Sequence, residues 1–431
     1  MDLLIKNAKI IDVIKGTQEI GDLLVKNGKI ALIAKNINAE NVKLIDASGL
    51  SLASGLVDLH THLRDPGFTN KEDIISGCNA AAAGGITSLC AMPNTNPITD
   101  NAQTISYILD KAKNAKARVL PIAAITKGLL GQELTDMALL KKVGAKGFSD
   151  DGVPVKTADL MQKAMSISAE LNMPILAHCE EKTLAKNGII NDGKISKQLC
   201  VEGIPNSAED VGTAREIALL MSAPKNARLH ICHVSTKQSA ELIRNAKKEG
   251  YNITAETGAH YFTFNEEMVL SKDADYRMNP PLRSEEDRIA IENAVIDGTI
   301  DAIATDHAPH TQEEKSNFMT APNGVIGMET SFSASYTSLV STGKMTMLEL
   351  IKKMSYIPAK IIGIDAGTLE IGKTADLVLI DENECWKVDV SRLHGKSTNC
   401  IFKNQTLKSK VKLTVLGGEI VFNDNLIIGE K

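Results

Sequence analysis

Two histidines separated by one residue, His60 and His62, lie in the run GLVDLHTHL, where an extended backbone points alternate side chains to one face. Further along, Asp151 follows AKGFSD, His178 closes PILAHCE, His233 closes ARLHICHVS, and Asp306 lies in DAIATDHAPH. An isolated histidine on a strand is usually a hydrogen-bonded structural residue. Four imidazoles and two carboxylates at the ends of successive apolar runs are a different matter. They form a nitrogen and oxygen donor set of the kind that holds zinc or a similar divalent cation.

Such residues do chemistry together only if the fold gathers the ends of their runs. Eight short apolar runs, 55–63, 85–93, 118–126, 145–150, 174–180, 227–235, 252–260 and 301–310, are separated by helix-like stretches such as 71–83, 158–171 and 236–248. Strands alternating with helices over roughly 250 residues match an α/β (β/α)8 TIM barrel, whose reactive groups sit at the C-terminal ends of its strands. The ends of the chain read differently. Residues 1–53 alternate like strands around an Asn27-Gly28 hairpin turn, and 365–431 do the same around Gly417-Gly418. Neither piece is large enough for its own core, so the two are expected to join as one composite β-sandwich, leaving 54–364 to the barrel. By strand alternation His230 faces away from His233, toward a covering helix. Cys179 and Cys232 likewise face away from the site and fill core space. His260 and His307 read as structural or as neighbours of the ligands, and His394 as a surface residue.

Composition narrows the classes of function. The chain of 431 residues carries a net charge of −5 without a run of either sign, which speaks against a nucleic-acid surface. No apolar stretch reaches the length of a membrane span, and the first residues do not resemble a secretion signal. Seven cysteines, an odd number with no CxxC pair, argue against a disulfide framework and for a reducing cytoplasm.

The motifs DLHTHLRDPG, AMPNTNP, FSDDG, AHCE, CHVST, RMNPPLR and ATDHAPH, in this order, resemble the class I dihydroorotases of the amidohydrolase superfamily across nearly the whole chain. The resemblance implies a barrel with a composite β-sandwich. It also implies one metal held by His60, His62 and Asp151 with Asp306 close by, and a second held by His178, His233 and the same Asp151. One or two Zn2+ per subunit are expected, two favoured, and a pair of ions can sharpen a shared hydroxide as nucleophile. Many relatives bridge their metals with a carboxylated lysine. Here Asp151 occupies the motif position and Lys146 does not match it. Asp306 is implied as the proton shuttle. The guanidinium of Arg64 suits a substrate carboxylate, with Asn94 and His310 beside it, and Asn279 with the backbone near Pro322 and Gly324 around the substrate ring. A surface ion pair with Asp65 is the competing reading of Arg64, and a plain turn role that of Asn94 and Asn279. The polar stretch 310–324 reads as a mobile loop able to cover the substrate, and GAHYF departs from the family's TPHH-like wording while keeping His260.

The activity implied is the reversible cyclisation of N-carbamoyl-L-aspartate to L-dihydroorotate in de novo pyrimidine biosynthesis. A cytoplasmic homodimer is expected, with aspartate transcarbamoylase as a candidate partner. Two alternatives compete with it. A dihydropyrimidinase or allantoinase is disfavoured by Arg64 and by the missing motif lysine, and a non-catalytic scaffold for aspartate transcarbamoylase would be expected to have lost ligands that this chain keeps.

Overall fold

Each of the eight apolar runs contains a strand in the computed structural model, which describes residues 2–430. The barrel strands are β6 (Leu56–Thr61), β7 (Ile86–Ala91), β8 (Arg118–Ala123), β9 (Gly147–Phe148), β10 (Pro174–Ala177), β13 (Arg228–Ile231), β14 (Ile253–Gly258) and β15 (Ala302–Ala304). They are parallel and paired in chain order from β6 to β15. Two short strands, β11 (Ile190–Asn191) and β12 (Gly203–Ile204), pair with each other in the excursion after β10. The last barrel strand meets the first beyond its own end, where Thr61 bridges His307 and the His62 amide donates to the His307 carbonyl at 2.8 Å. Asp58 reinforces this seam, accepting from the Thr305 amide at 3.0 Å and the Thr305 hydroxyl at 2.5 Å. Strands covered on both faces are apolar along their length rather than alternating, as these are.

The terminal segments form one further sheet. β1 (Leu3–Asp12), β2 (Thr17–Lys26) and β3 (Lys29–Ala34) pair antiparallel, with Asn27 and Gly28 at φ 50° and 74° in the turn between β2 and β3. The long β1 also pairs with β4 (Lys43–Asp46) near its start and with β5 (Ser51–Ser54) near its end. From the C-terminus, β16 (Leu377–Lys387) adds to β5, β17 (Thr406–Leu416) to β16, β18 (Glu419–Asn423) to β17, and β19 (Gly429–Glu430) to β4. The expected sandwich is thus hydrogen-bonded as one branched sheet of nine strands, because β1 is long enough to carry two neighbours along one edge. Its core draws Ile10 and Leu52 from one end of the chain and Leu377, Leu379 and Leu413 from the other. The opposite face, with Val378, Ile380 and Val411, is continuous with the barrel core.

One helix couples sheet to site. Ile74–Ala83 begins at Asp73, whose carboxylate accepts the Ser76 amide at 2.8 Å in a reciprocal capping box. Its end meets the terminal sheet where the Thr414 hydroxyl donates to the Ala82 carbonyl at 2.7 Å. At Gly77 a Cβ would lie 2.6 Å from Leu63 Cδ2, so the glycine lets the segment carrying Arg64 pack down on the helix. Among the described residues no helix is long and apolar enough to cross a membrane.

Candidate active site

The C-terminal ends of the barrel strands bring all six candidate ligands together. His60 Nε2 lies 3.4 Å from Asp151 Oδ1 and 3.6 Å from Asp306 Oδ1, and His62 Nε2 lies 3.6 Å from Asp151 Oδ2 and 3.1 Å from Asp306 Oδ1. On the other side of Asp151, His178 Nδ1 and His233 Nε2 approach its Oδ1 at 3.5 and 3.6 Å. Two three-residue donor groups result, His60, His62 and Asp151, and Asp151, His178 and His233, sharing the one carboxylate. Lys146 precedes β9, at the N-terminal end of that strand and away from this cluster.

These residues fit a cation. His60 Nε2 and Asp151 Oδ1 are buried and have no hydrogen-bond partner, although buried polar atoms are ordinarily satisfied. The field of the cluster also favours positive charge. Burial alone would raise the Asp151 pKa, yet His60, His178 and His233 hold it well below the usual carboxylate range. Burial likewise opposes protonation of His178, but Asp151 and Glu180 lift its pKa to about 9. Asp306, at φ 47°, is opposed by burial and held far below the usual range by His60 and His62. A third grouping of His60, Cys232 and Glu256 is poorer, because burial pushes the Cys232 thiol up to about 12 and only a thiolate is a good ligand.

Neighbouring groups orient the ligands. Asn94 Oδ1 accepts from His62 Nδ1 at 2.9 Å, which turns the Nε2 lone pair toward Asp151 and Asp306. Glu180 Oε2 accepts from His178 Nε2 at 3.2 Å and leaves Nδ1 facing the cluster. Asp150 Oδ1 accepts the amides of Ile125 and Thr126 at 2.8 and 3.0 Å and so fixes the backbone next to Asp151. Glu209 does the same beyond His233, accepting the amides of Ser235 and Thr236 at 2.9 and 3.1 Å.

Above the cluster opens a cavity of about 310 Å³ whose wall includes Arg64, Asn94, Asn279, His310 and Gly324. Arg64 makes no ion pair with Asp65, which instead accepts from Lys111 Nζ at 2.8 Å and the Tyr107 hydroxyl at 2.9 Å. The Arg64 side chain is half-buried, donates from Nε to the Pro309 carbonyl at 3.2 Å, and has no carboxylate within ion-pair distance among the described residues. Burial lowers its pKa to about 10, still far above neutrality. A partly desolvated cation with no carboxylate partner, facing a cavity, is a site for an anion. Asn279 Nδ2 donates to Glu180 Oε1 at 3.2 Å, so Asn279 belongs to the wall rather than to a simple turn. His310 Nε2 donates to the Asn323 carbonyl at 2.9 Å, and Lys71 Nζ approaches its Nδ1 at 3.4 Å. Gly324 has φ 133°, and a Cβ there would meet Ala308 Cβ at 2.7 Å and His310 Nε2 at 3.1 Å.

Several expectations need correction. Pro322 does not line the cavity; its carbonyl accepts from Lys315 Nζ at 2.9 Å, and Asn323 takes the place at the wall. Lys315 also donates to the Ala274 and Arg277 carbonyls at 3.0 and 3.1 Å, and Phe318 packs with Ile190, Ile195 and Val269. The segment 310–324 is therefore pinned from within rather than free-standing. His230 and Cys232 point into the barrel, not toward a covering helix. β13 ends at Ile231 and His233 has φ 35°, so alternation does not carry through to His233. Of the other histidines, His307 accepts the Gly327 amide at 3.2 Å, His260 is buried with its pKa lowered by burial to about 4, and the exposed His394 pairs with Glu329 at 2.8 Å. Glu180, Lys182, Asn323 and Glu256 were not singled out by the sequence. Only Glu180, inside the AHCE motif, carried a signal that would have marked it.

A parallel eight-stranded barrel with a cluster of metal-competent residues at its mouth, joined to a β-sheet built from both chain termini, is the frame of the amidohydrolase superfamily. The solved L-hydantoinase (dihydropyrimidinase) of Arthrobacter aurescens superposes with a TM-score of 0.88 at 26% identity, covering 100% of this chain and 98% of that one. Sequence similarity is closer to another branch. A family profile described as dihydro-orotase-like matches residues 49–239. The dihydroorotase of Pelotomaculum thermopropionicum is 43% identical over 99% of this chain and 100% of its own length. That of Clostridioides difficile is 45% identical over 98% of this chain and 100% of its own length. The chain belongs to the dihydroorotase family.

Proposed function

We infer that the protein is a dihydroorotase, a cyclic-amide hydrolase that interconverts N-carbamoyl-L-aspartate and L-dihydroorotate, and that the residues above perform the reaction. The observation that carries the substrate reading is Arg64, a half-buried guanidinium without a carboxylate partner on the wall of the cavity that contains the donor cluster. Dihydroorotate brings a carboxylate outside its ring. Arg64 meets it with the fork of its guanidinium, Asn94 and His310 flank it, and Asn279 and the Gly324 backbone hold the ring.

His60, His62 and Asp151 would hold one divalent cation and Asp151, His178 and His233 a second, with zinc suited to this nitrogen and oxygen set. Bound cations supply Lewis acidity and lower the pKa of water toward neutrality. In ring opening, Asp306 accepts a proton from the attacking water and returns it to the departing ring nitrogen. Its carboxylate is ionised and lies 3.1 Å from His62 Nε2, at the donor cluster where the attacking water would be bound. Ring closure runs through the same groups in reverse. The cavity walls fix the ring between carboxylate site and proton shuttle, which converts the encounter into a positioned reaction.

The hydantoinase-like fold favours a second reading, a cyclic amidase for uncharged rings. Comparing hydrolysis of L-dihydroorotate and dihydrouracil by the same preparation separates the two. Strong preference for dihydroorotate is expected; equal or better turnover of dihydrouracil would remove Arg64 from its role as the carboxylate anchor.

A further inference from the structure

Below the site, the barrel interior departs from its usual filling. Interior layers of such barrels are built mainly from bulky branched side chains, and Leu120, Ile122 and Leu176 act this way here. One layer is polar instead. Glu256 of β14 has no exposed surface. Its Oε1 lies 3.0 Å from His60 Nδ1 and its Oε2 3.2 Å from His230 Nε2, while His230 Nδ1 meets the Thr254 hydroxyl at 2.8 Å. Among the described residues no lysine or arginine pairs with Glu256. A carboxylate in a barrel core is expensive, and an aliphatic side chain would fill the same space at lower cost. Packing alone therefore gives no reason for this residue.

The far side of the His60 ring supplies one. His60 Nε2 has no hydrogen-bond partner and faces the oxygens of Asp151 and Asp306 at 3.4 and 3.6 Å. Facing two carboxylates, this nitrogen needs a proton or a cation between itself and them, and in a site that holds a divalent cation it is the Nε2 lone pair that must face inward. We propose that Glu256 is a positioning residue for the first cation: by accepting the Nδ1 proton of His60 it fixes the tautomer whose Nε2 lone pair enters the site, with the His230 ring packed close to its other oxygen but not hydrogen-bonded to it. Asn94 orients His62 from the cavity wall, and Glu180 orients His178. Glu256 acts from inside the barrel, where no substrate reaches. A charged acceptor also makes the imidazole a better electron donor.

This inference rests on the reading of the donor cluster as a cation site, and the test keeps the two apart. Glu256→Gln preserves size and an acceptor oxygen but removes the charge. Metal-free wild type and variant are titrated with Zn2+ against a chromophoric chelator. The expected result is a first-site affinity weakened by about 10- to 100-fold in the variant, with the site at His178 and His233 retained. In the zinc-loaded wild type labelled with 15N-histidine, the His60 Nδ1 proton is expected far downfield, as for a hydrogen bond to a carboxylate, and upfield of that in the variant. Equal zinc affinity in a folded Glu256→Gln protein would overturn the positioning role and leave Glu256 a structural residue. Should the variant not fold, the wild-type spectrum decides alone: a His60 ring without a carboxylate-bonded Nδ1 proton contradicts the proposal. Wild type that takes up no zinc would instead refute the cation reading itself.

Discussion

In the reaction proposed above Arg64 serves recognition and Asp306 serves chemistry, and each gives a separable outcome. Removing Arg64 leaves the substrate carboxylate unmatched in a partly desolvated pocket, which typically costs about 2 to 5 kcal/mol. Arg64→Met should therefore lower kcat/KM for dihydroorotate by roughly 30-fold to several thousand-fold, while the slow hydrolysis of dihydrouracil changes far less. Arg64→Lys should recover only part, because a point charge does not reproduce two parallel hydrogen bonds. Unchanged dihydroorotate kinetics in Arg64→Met would place the carboxylate elsewhere. Asp306→Asn keeps the shape of the site but not its base, so kcat should fall by about 10² to 10⁴ with substrate still bound; near-normal turnover would move the proton shuttle to another group. Most of these residues were legible because reactive side chains interrupt otherwise apolar runs. The structure puts Arg64 on the cavity wall, and its φ of 61° shows that a turn after the strand, rather than strand alternation, delivers it there. Glu256 was visible as an acid within the strand ITAETG, yet nothing in its spacing tied it to His60.

At the scale of elements, the site depends on how β15 meets β6. Only three residues of β15 form regular strand, and Asp58 holds the segment leading to Asp306 through the Thr305 amide and hydroxyl. Burial pushes the Asp58 pKa up to about 6 against those hydrogen bonds, so the seam is a buried polar link, and only the Thr305 hydroxyl has a second acceptor, the His60 carbonyl at 3.3 Å. Asp58→Ala should cost about 1 to 3 kcal/mol for each donor left unsatisfied, read as a lowered denaturation midpoint, and should reduce turnover by displacing Asp306. An unchanged midpoint and unchanged turnover would show that the seam is held by other contacts. All eight barrel strands could be read from sequence because strands buried on both faces are short apolar runs bounded by polar turns. Their ends could not. Alternation assigns a face only while the backbone stays extended, and the left-handed turn at His233 reversed the reading for His230 and Cys232.

At the scale of the whole molecule, the terminal sheet and the barrel share apolar contacts, since Val378, Ile380 and Val411 join the same core as Ile74 and Ala81. Heating should therefore give one calorimetric transition, and a chain ending at residue 364 should lose it, because Leu377, Leu379 and Leu413 leave Ile10 and Leu52 uncovered. Two resolved transitions, or a cooperative shortened chain, would make the sheet an independent unit. Pairing of the chain ends was foreseeable from two β-rich pieces too small to stand alone; the branched sheet was not, because it depends on which edge of β1 each partner takes. The central claim is that water is activated by divalent cations held at His60, His62, Asp151, His178 and His233. It is tested most directly by measuring metal content and L-dihydroorotate hydrolysis on the same sample, before and after chelation and after adding Zn2+ back. Activity should vanish with the metal and return with it, and His62→Ala should lose bound metal together with turnover. Full activity in a preparation shown to be metal-free would contradict the account.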